Sequence, residues 1–166
     1  MSLLGKSLTR ALLSPPLTPA ELRRTLSFQR DTLLGTTVLI TGASSGIGAE
    51  AAALLAAHGA QIIAVARDSE KLEAVCAAIV SAGGTAHALT ADLTDAESVA
   101  ALVDDVLETF GAPDILVNNA GRSIRRSVPD TVDRFHDYDR TMAINYFGAV
   151  RLTNALLPAM LERGSG

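Results

Sequence analysis

The sequence predicts an α/β protein: a doubly wound parallel sheet with helices on both faces, incomplete at about four strands in the order 3-2-1-4. Three observations predict it. Short apolar runs alternate with longer stretches of helical spacing, the pattern of β-α-β units. The first run, Thr37-Val38-Leu39-Ile40, leads into the turn Thr41-Gly42-Ala43-Ser44-Ser45-Gly46-Ile47-Gly48, and a helical pattern follows. The composition is 48% hydrophobic with 4% aromatic residues, ample for a core of small aliphatic side chains between closely packed layers.

Residues 1–34 differ from the rest. They are basic, with Lys6, Arg10, Arg23, Arg24 and Arg30, and are broken by Pro15, Pro16 and Pro19. Two short amphipathic helices are expected, Leu3–Leu13 and Pro19–Gln29. Such an extension packs on the domain or on a partner subunit; binding to a membrane surface is the alternative. The domain itself occupies 35–166. Strand Thr37–Thr41 precedes a helix from Gly46 to about His58, with Ile47, Ala51, Leu54 and Leu55 on one face and Gly59 ending it. Gln61–Ala66 is a buried strand. Asp68 or Ser69 caps the next helix, whose face is Leu72, Val75, Cys76 and Ile79 and whose end is Gly83-Gly84.

Thr85–Thr90 is the third strand. Thr94-Asp95-Ala96-Glu97 reads as a capping box for a helix burying Val99, Leu102, Val103, Val106 and Phe110. Gly111-Ala112-Pro113 turns the chain into strand Asp114–Asn118. A loop over Gly121–Asp130 is followed by one long helix from about Val132 to Leu161. Right-handed crossovers give the strand order 3-2-1-4. A complete dinucleotide domain of this kind has about six strands, so the chain reads as the first part of a larger fold, with its fourth strand at an open edge.

The net charge of −4 points away from nucleic acid and anionic membranes. No uninterrupted apolar stretch reaches the roughly 18 residues of a membrane helix. Ser14-Pro15-Pro16 breaks the start as a signal peptide. A single cysteine, Cys76, excludes an internal disulfide and fits a reducing, cytoplasmic setting. His58, His87, His136 and Cys76 show no metal-ligand spacing.

The chemistry gathers where the strands end. The first N–H groups of a helix have no intrahelical partner and favour an anion. Here Gly42 takes backbone angles forbidden to a side chain, Gly46 lets backbone approach a pyrophosphate, and Gly48 lets the helix pack on its strand. A cofactor with a free ribose 2′-OH is met by an acid roughly 20 residues beyond such glycines. That region reads Val65-Ala66-Arg67. A guanidinium clamps a 2′-phosphate, which favours NADP(H) over NAD(H); a solvated arginine at a strand end is the alternative. Asp92-Leu93 follows the third strand, where the aspartate either accepts from an adenine amino group or caps a turn before Thr94. Asn118-Asn119-Ala120-Gly121 ends the fourth strand in line with the glycine turn. Arg122, Arg125 and Arg126 either form a solvated basic loop or meet substrate phosphates.

Thr41–Gly48, Asn118–Gly121 and Asn145 within Met142-Ala143-Ile144-Asn145-Tyr146-Phe147-Gly148 together resemble the short-chain dehydrogenase/reductase family, from about residue 36 to the end. The resemblance implies a Rossmann-type fold and hydride transfer between NADP(H) and a carbonyl or alcohol. It implies that Gly42, Ser44, Ser45, Gly46, Ile47 and Gly48 bind the cofactor with Arg67, Asp92, Leu93, Asn118, Ala120 and Gly121. It implies that Asn145 belongs to the catalytic set and holds a water in the proton relay. It also implies pairing into a dimer or tetramer through the helices matching 95–110 and 132–161. Gly121–Arg126 is similar to members that handle fatty-acyl or ketoacyl substrates. The family's remaining groups, a serine and a tyrosine four residues before a lysine, are not in this sequence: Met142 and Val150 stand four residues after Tyr138 and Tyr146, and the lysines are Lys6 and Lys71. The 166 residues alone are therefore expected not to turn over, and a non-catalytic NADP(H)-binding module or an inactive truncated product is the alternative.

Overall fold

A computed structural model describes residues 32–164; the two helices expected over 3–13 and 19–29 lie outside the described residues. The element order is β1 (Thr37–Thr41), α1 (Gly46–Ala57), β2 (Gln61–Ala66), α2 (Ser69–Ser81), β3 (Thr85–Thr90), α3 (Ala96–Thr109), β4 (Ile115–Val117), a 3₁₀ turn (Val128–Thr131), α4 (Phe135–Met142), a π-helical segment (Ala143–Gly148) and α5 (Ala149–Arg163). The four strands form one parallel sheet in the order β3-β2-β1-β4. This is the Rossmann-type arrangement. Thr41 stands opposite Val65 and Ile40 opposite Val117, so β1, β2 and β4 end at one level and their following loops converge there.

Alternating side chains of β1 split the core. Val38 and Ile40 pack with Ala52, Ala56, Leu72, Cys76 and Ile79 under α1 and α2. Leu39, with Ile63 and Val65, packs with Val99, Leu102, Val103, Val106, Leu152 and Leu156 under α3 and α5. Leu33 joins the α1–α2 side, and its N–H donates to His58 O at 3.0 Å. Asp114 ties β4 to its neighbour by accepting from Thr37 N at 2.7 Å.

Several local expectations need correction. The inner face of α1 is Gly48, Ala52 and Ala56, while Ile47 is 83% exposed and Leu54 61%. In an alanine-rich helix the small residues allow close approach to the sheet, and the larger ones are excluded from it. The cap of α3 is Asp95, whose carboxylate accepts from Glu97 N and Ser98 N, whereas Thr94 bonds back to Asp92. Of the two caps expected for α2, it is Asp68 that serves, accepting from Lys71 N. The fourth strand is shorter than Asp114–Asn118 because Asn119 N turns back onto Val117 O. The long helix over 132–161 is interrupted: α4 and α5 are joined by the π-helical segment, and Val132 lies before α4.

The segment before α4 is anchored on Asp137, which lies in the first turn of that helix and is 6% exposed. Its Oδ2 accepts from Arg134 Nε at 3.0 Å and Arg126 Nε at 3.1 Å, and His136 Nε2 lies 3.3 Å from Oδ1. The Arg134 hydrogen bond leads in holding the carboxyl below its usual range, against the effect of burial, with the neighbouring charges adding to it. A carboxylate whose folded pKa is depressed contributes stability above its unfolded pKa and loses it as pH falls through the folded value. Segment 126–137 should therefore release selectively below the ordinary aspartate range near 3.8. Amide exchange across pH is the check; protection that stays constant there down to acid unfolding refutes it.

Candidate nucleotide-binding site

The strand ends open onto a cavity of about 440 Å³. Its floor is the glycine turn. Gly42 (φ +68°) and Gly46 (φ +56°) both occupy the left-handed region, where a side chain is strained. They differ in surroundings: a Cβ on Gly42 would meet Ala120 Cα at 2.8 Å, whereas one on Gly46 would meet nothing within 4 Å. A Cβ on Gly48 would lie 2.3 Å from Gly42 O. The turn is thus closed against the protein at two glycines and open outward at the third. Ser45, the N-cap of α1, makes no side-chain cap bond, so that helix end has donors to offer an anion.

The turn is held by β4. Thr41 Oγ1 accepts from Asn119 N at 3.0 Å and Ala120 N at 2.9 Å and donates to Val117 O at 3.3 Å. Asn119 Nδ2 donates to Thr41 O at 2.9 Å and Gly42 O at 3.3 Å. Two strand ends are locked together by side chains where the ladder has stopped.

Of the residues singled out from sequence, Gly42, Ser44, Ser45, Ile47, Gly48, Arg67, Leu93, Ala120 and Gly121 line the cavity. The exposed Ile47 finds its place here, as cavity wall. Gly46 belongs to the turn but not to the wall. Asn118 turns away, its amide donating to Thr153 Oγ1 at 3.0 Å, and its neighbour Asn119 is the lining residue. Asp92 stands beside the wall. Its Oδ1 accepts from Thr94 N at 2.9 Å and Thr94 Oγ1 at 2.7 Å, and Oδ2 lies 3.9 Å from an Arg67 nitrogen. Partial burial acts to raise its pKa, but the two Thr94 bonds and the Arg67 charge outweigh it and hold the carboxyl low. Asp92 thus makes the turn before Thr94, with Oδ2 facing the cation.

Asn145 sits in the π-helical segment, outside the wall. Its Oδ1 accepts from Arg122 N at 2.8 Å and its Nδ2 donates to Arg122 O at 2.9 Å. A Cβ on Gly121 would approach that Oδ1 to 3.1 Å. The added residue in this turn aims Ile144 at the cavity and Asn145 at the loop; such π bulges concentrate at functional positions. Val65, Ala66, Asp68, Ala91, Asn119 and Ile144 also line the cavity without having been singled out. They lie next to residues that were, and strand phase at the last residue of β4 was the missing signal.

A family model described as short chain dehydrogenase matches residues 36–166. The chain belongs to the short-chain dehydrogenase family. Among curated members of that family, it is 47% identical over 163 residues to a fatty acyl-CoA reductase of Mycobacterium tuberculosis, covering 98% of this chain and 55% of the relative. A fatty acyl-CoA reductase of Acinetobacter baylyi is 50% identical over 137 residues, covering 82% of this chain and 46% of the relative. The chain thus spans about half the length of these relatives. A metagenomic short-chain oxidoreductase solved in complex with NADP superposes with a TM-score of 0.75 at 39% identity, over 81% of this chain and 60% of that one. Among the described residues, no helix is long and apolar enough to cross a membrane, and no group of three or more His, Cys, Asp or Glu is placed to hold a metal ion.

Proposed function

We propose that this chain forms the cofactor half of an NADP(H)-dependent reductase acting on a carbonyl substrate, with fatty acyl-CoA thioesters as the class suggested by the names of its relatives. The observation that carries the cofactor reading is Arg67. It stands in the cavity wall just after β2 with its side chain 69% exposed, and Ala66 occupies the place where an acid could have stood. A guanidinium fork pairs with a phosphate dianion and offers nothing to a ribose hydroxyl as acceptor.

The residues present fit such a dinucleotide. Its pyrophosphate would meet the open side of the Gly46 turn and the first N–H groups of α1. Its 2′-phosphate would meet Arg67, and Asp92 Oδ2 would accept from the adenine amino group. The small Ala120 and Gly121 would let backbone approach the nicotinamide end, and Asn145 keeps the loop after Gly121 in position by its two bonds to Arg122. When bound, the dinucleotide supplies the hydride. The thioester carbonyl carbon would accept it, and collapse of the resulting tetrahedral species would expel the thiolate and leave an aldehyde; the thiolate then takes a proton. For an aldehyde or ketone the alkoxide itself takes the proton. A phenol made acidic by a nearby ammonium suits that step, and no Tyr-x-x-x-Lys pair lies in these 166 residues. We therefore infer that they bind the cofactor and do not turn over by themselves.

The experiment is Arg67→Asp in the purified protein. NADPH should bind at least about tenfold more weakly, from the loss of a charge-assisted pair, and NADH should bind more tightly through the new carboxylate. Titration of both coenzymes by fluorescence gives the ratio; an unchanged ratio defeats the NADP(H) reading.

A further inference from the structure

A second cavity, about 360 Å³, adjoins the first and shares Arg67, Gly121 and Ile144 with it. The second cavity adds Thr94, Arg122 and Arg140 to that shared wall. Three arginines face one space, and no carboxylate lies in its wall. Three acids close by have partners of their own. Asp92 is held by Thr94, with only its far oxygen 3.9 Å from Arg67. Asp68 is taken by Lys71 at 2.6 Å. Asp137 collects Arg126, Arg134 and His136. Behind the wall, Arg151 donates to Leu93 O at 3.1 Å and Thr94 O at 3.3 Å, adding a further positive charge.

The arginines from 122 to 140 therefore sort three ways, and Arg125, expected to meet substrate phosphates, lines neither cavity. Arg126 and Arg134 have a carboxylate, and Arg126 is thereby removed from the set expected to meet substrate phosphates. Among the described residues, no side-chain hydrogen bond or ion pair engages Arg122 or Arg140. Like charges gathered on one cavity repel, and an anion that enters relieves the repulsion. Several phosphate oxygens match several guanidinium forks.

We propose that Arg122 and Arg140 bind the phosphate groups of a coenzyme A thioester, Arg67 at the shared wall being left to the cofactor. This rests on the reductase reading above. Arg122 and Arg140 line only the second cavity, whereas the glycine turn lines only the first. The two phosphate-bearing ligands thus have separate donors and a common wall, as simultaneous binding for hydride transfer requires.

Coenzyme A and NADPH are titrated separately by calorimetry into the purified protein and into Arg122→Glu, Arg140→Glu, the double variant and the milder Arg140→Gln. Each charge reversal should weaken coenzyme A binding about tenfold and the pair about a hundredfold, while NADPH binding stays within about twofold. Arg140→Gln should lose less, and melting temperatures should match the parent. Weakened NADPH binding with coenzyme A unaffected would assign these guanidiniums to the cofactor's phosphate and overturn the proposal. Unchanged affinity for both overturns it too, as does equal weakening of both by Arg140→Gln at an unchanged melting temperature. A parent protein that binds NADPH in an Arg67-dependent way yet takes no coenzyme A refutes this site alone. Arginine-dependent coenzyme A binding without NADPH binding refutes the reductase reading and leaves the site.

Discussion

Replacing Gly48 by alanine is expected to weaken NADPH binding by about a hundredfold or more and to lower stability despite the better helix former. The added Cβ would lie 2.3 Å from Gly42 O and 2.5 Å from Asn119 Nδ2. One neighbour is backbone and the other is an amide already bonded to Thr41 O and Gly42 O, so neither can yield cheaply. Helix α1 must slide off the glycine turn. Overpacking of this kind costs about 1–3 kcal/mol, and alanine returns only about 0.8–1 kcal/mol of helix propensity. The binding loss is larger because donors displaced by about 1 Å no longer converge on a phosphate. Gly46→Ala is the contrast. It meets no atom within 4 Å, and its cost is the backbone strain of φ +56°, about 1–2 kcal/mol. Thermal melts and NADPH titrations of both variants separate the cases. Retention of affinity within about threefold in Gly48→Ala would show that the turn is not the phosphate cradle.

The same glycine marks how far the sequence could be read. Strand and helix alternation, the order 3-2-1-4 and the inward face of α2 were legible because each rests on a strong period or a hard punctuation mark. The inward face of α1 was not. Alanine is equally at home inside and outside, so Gly48, Ala52 and Ala56 gave no periodic signal, and the larger Ile47 and Leu54 drew the eye to the wrong side. At the site, the glycine turn and Arg67 were legible from residue type and spacing. The choice between Asn118 and Asn119 was not, since adjacent strand residues point oppositely and the strand ends one residue before this pair. The partition of the loop arginines was also hidden. It depends on Asp137, a distant residue whose burial no local pattern announces.

Thr41→Val should unlock the strand ends at the site, lowering stability by about 1–3 kcal/mol. Thr41 is 1% exposed, and valine keeps its shape while deleting the hydroxyl. The Ala120 N–H loses its acceptor, while Asn119 N and Val117 O each lose one of two partners and keep one another at 3.0 Å. A buried donor left without a partner costs about 1–3 kcal/mol, and the penalty falls on β4, a strand of 3 residues paired on one side only. Against a total stability of about 5–15 kcal/mol the loss is large, and it is paired with function: Ala120 and Gly121 line the cavity, so NADPH affinity should fall with it. Thr41→Ser separates hydroxyl from methyl. It keeps every hydrogen bond and should lose only about 1 kcal/mol of burial, with NADPH binding near that of the parent. Denaturant unfolding monitored by circular dichroism measures both. If valine and serine at this position prove equally stable, the hydroxyl does not lock the strand ends, and the cavity owes its shape to packing alone.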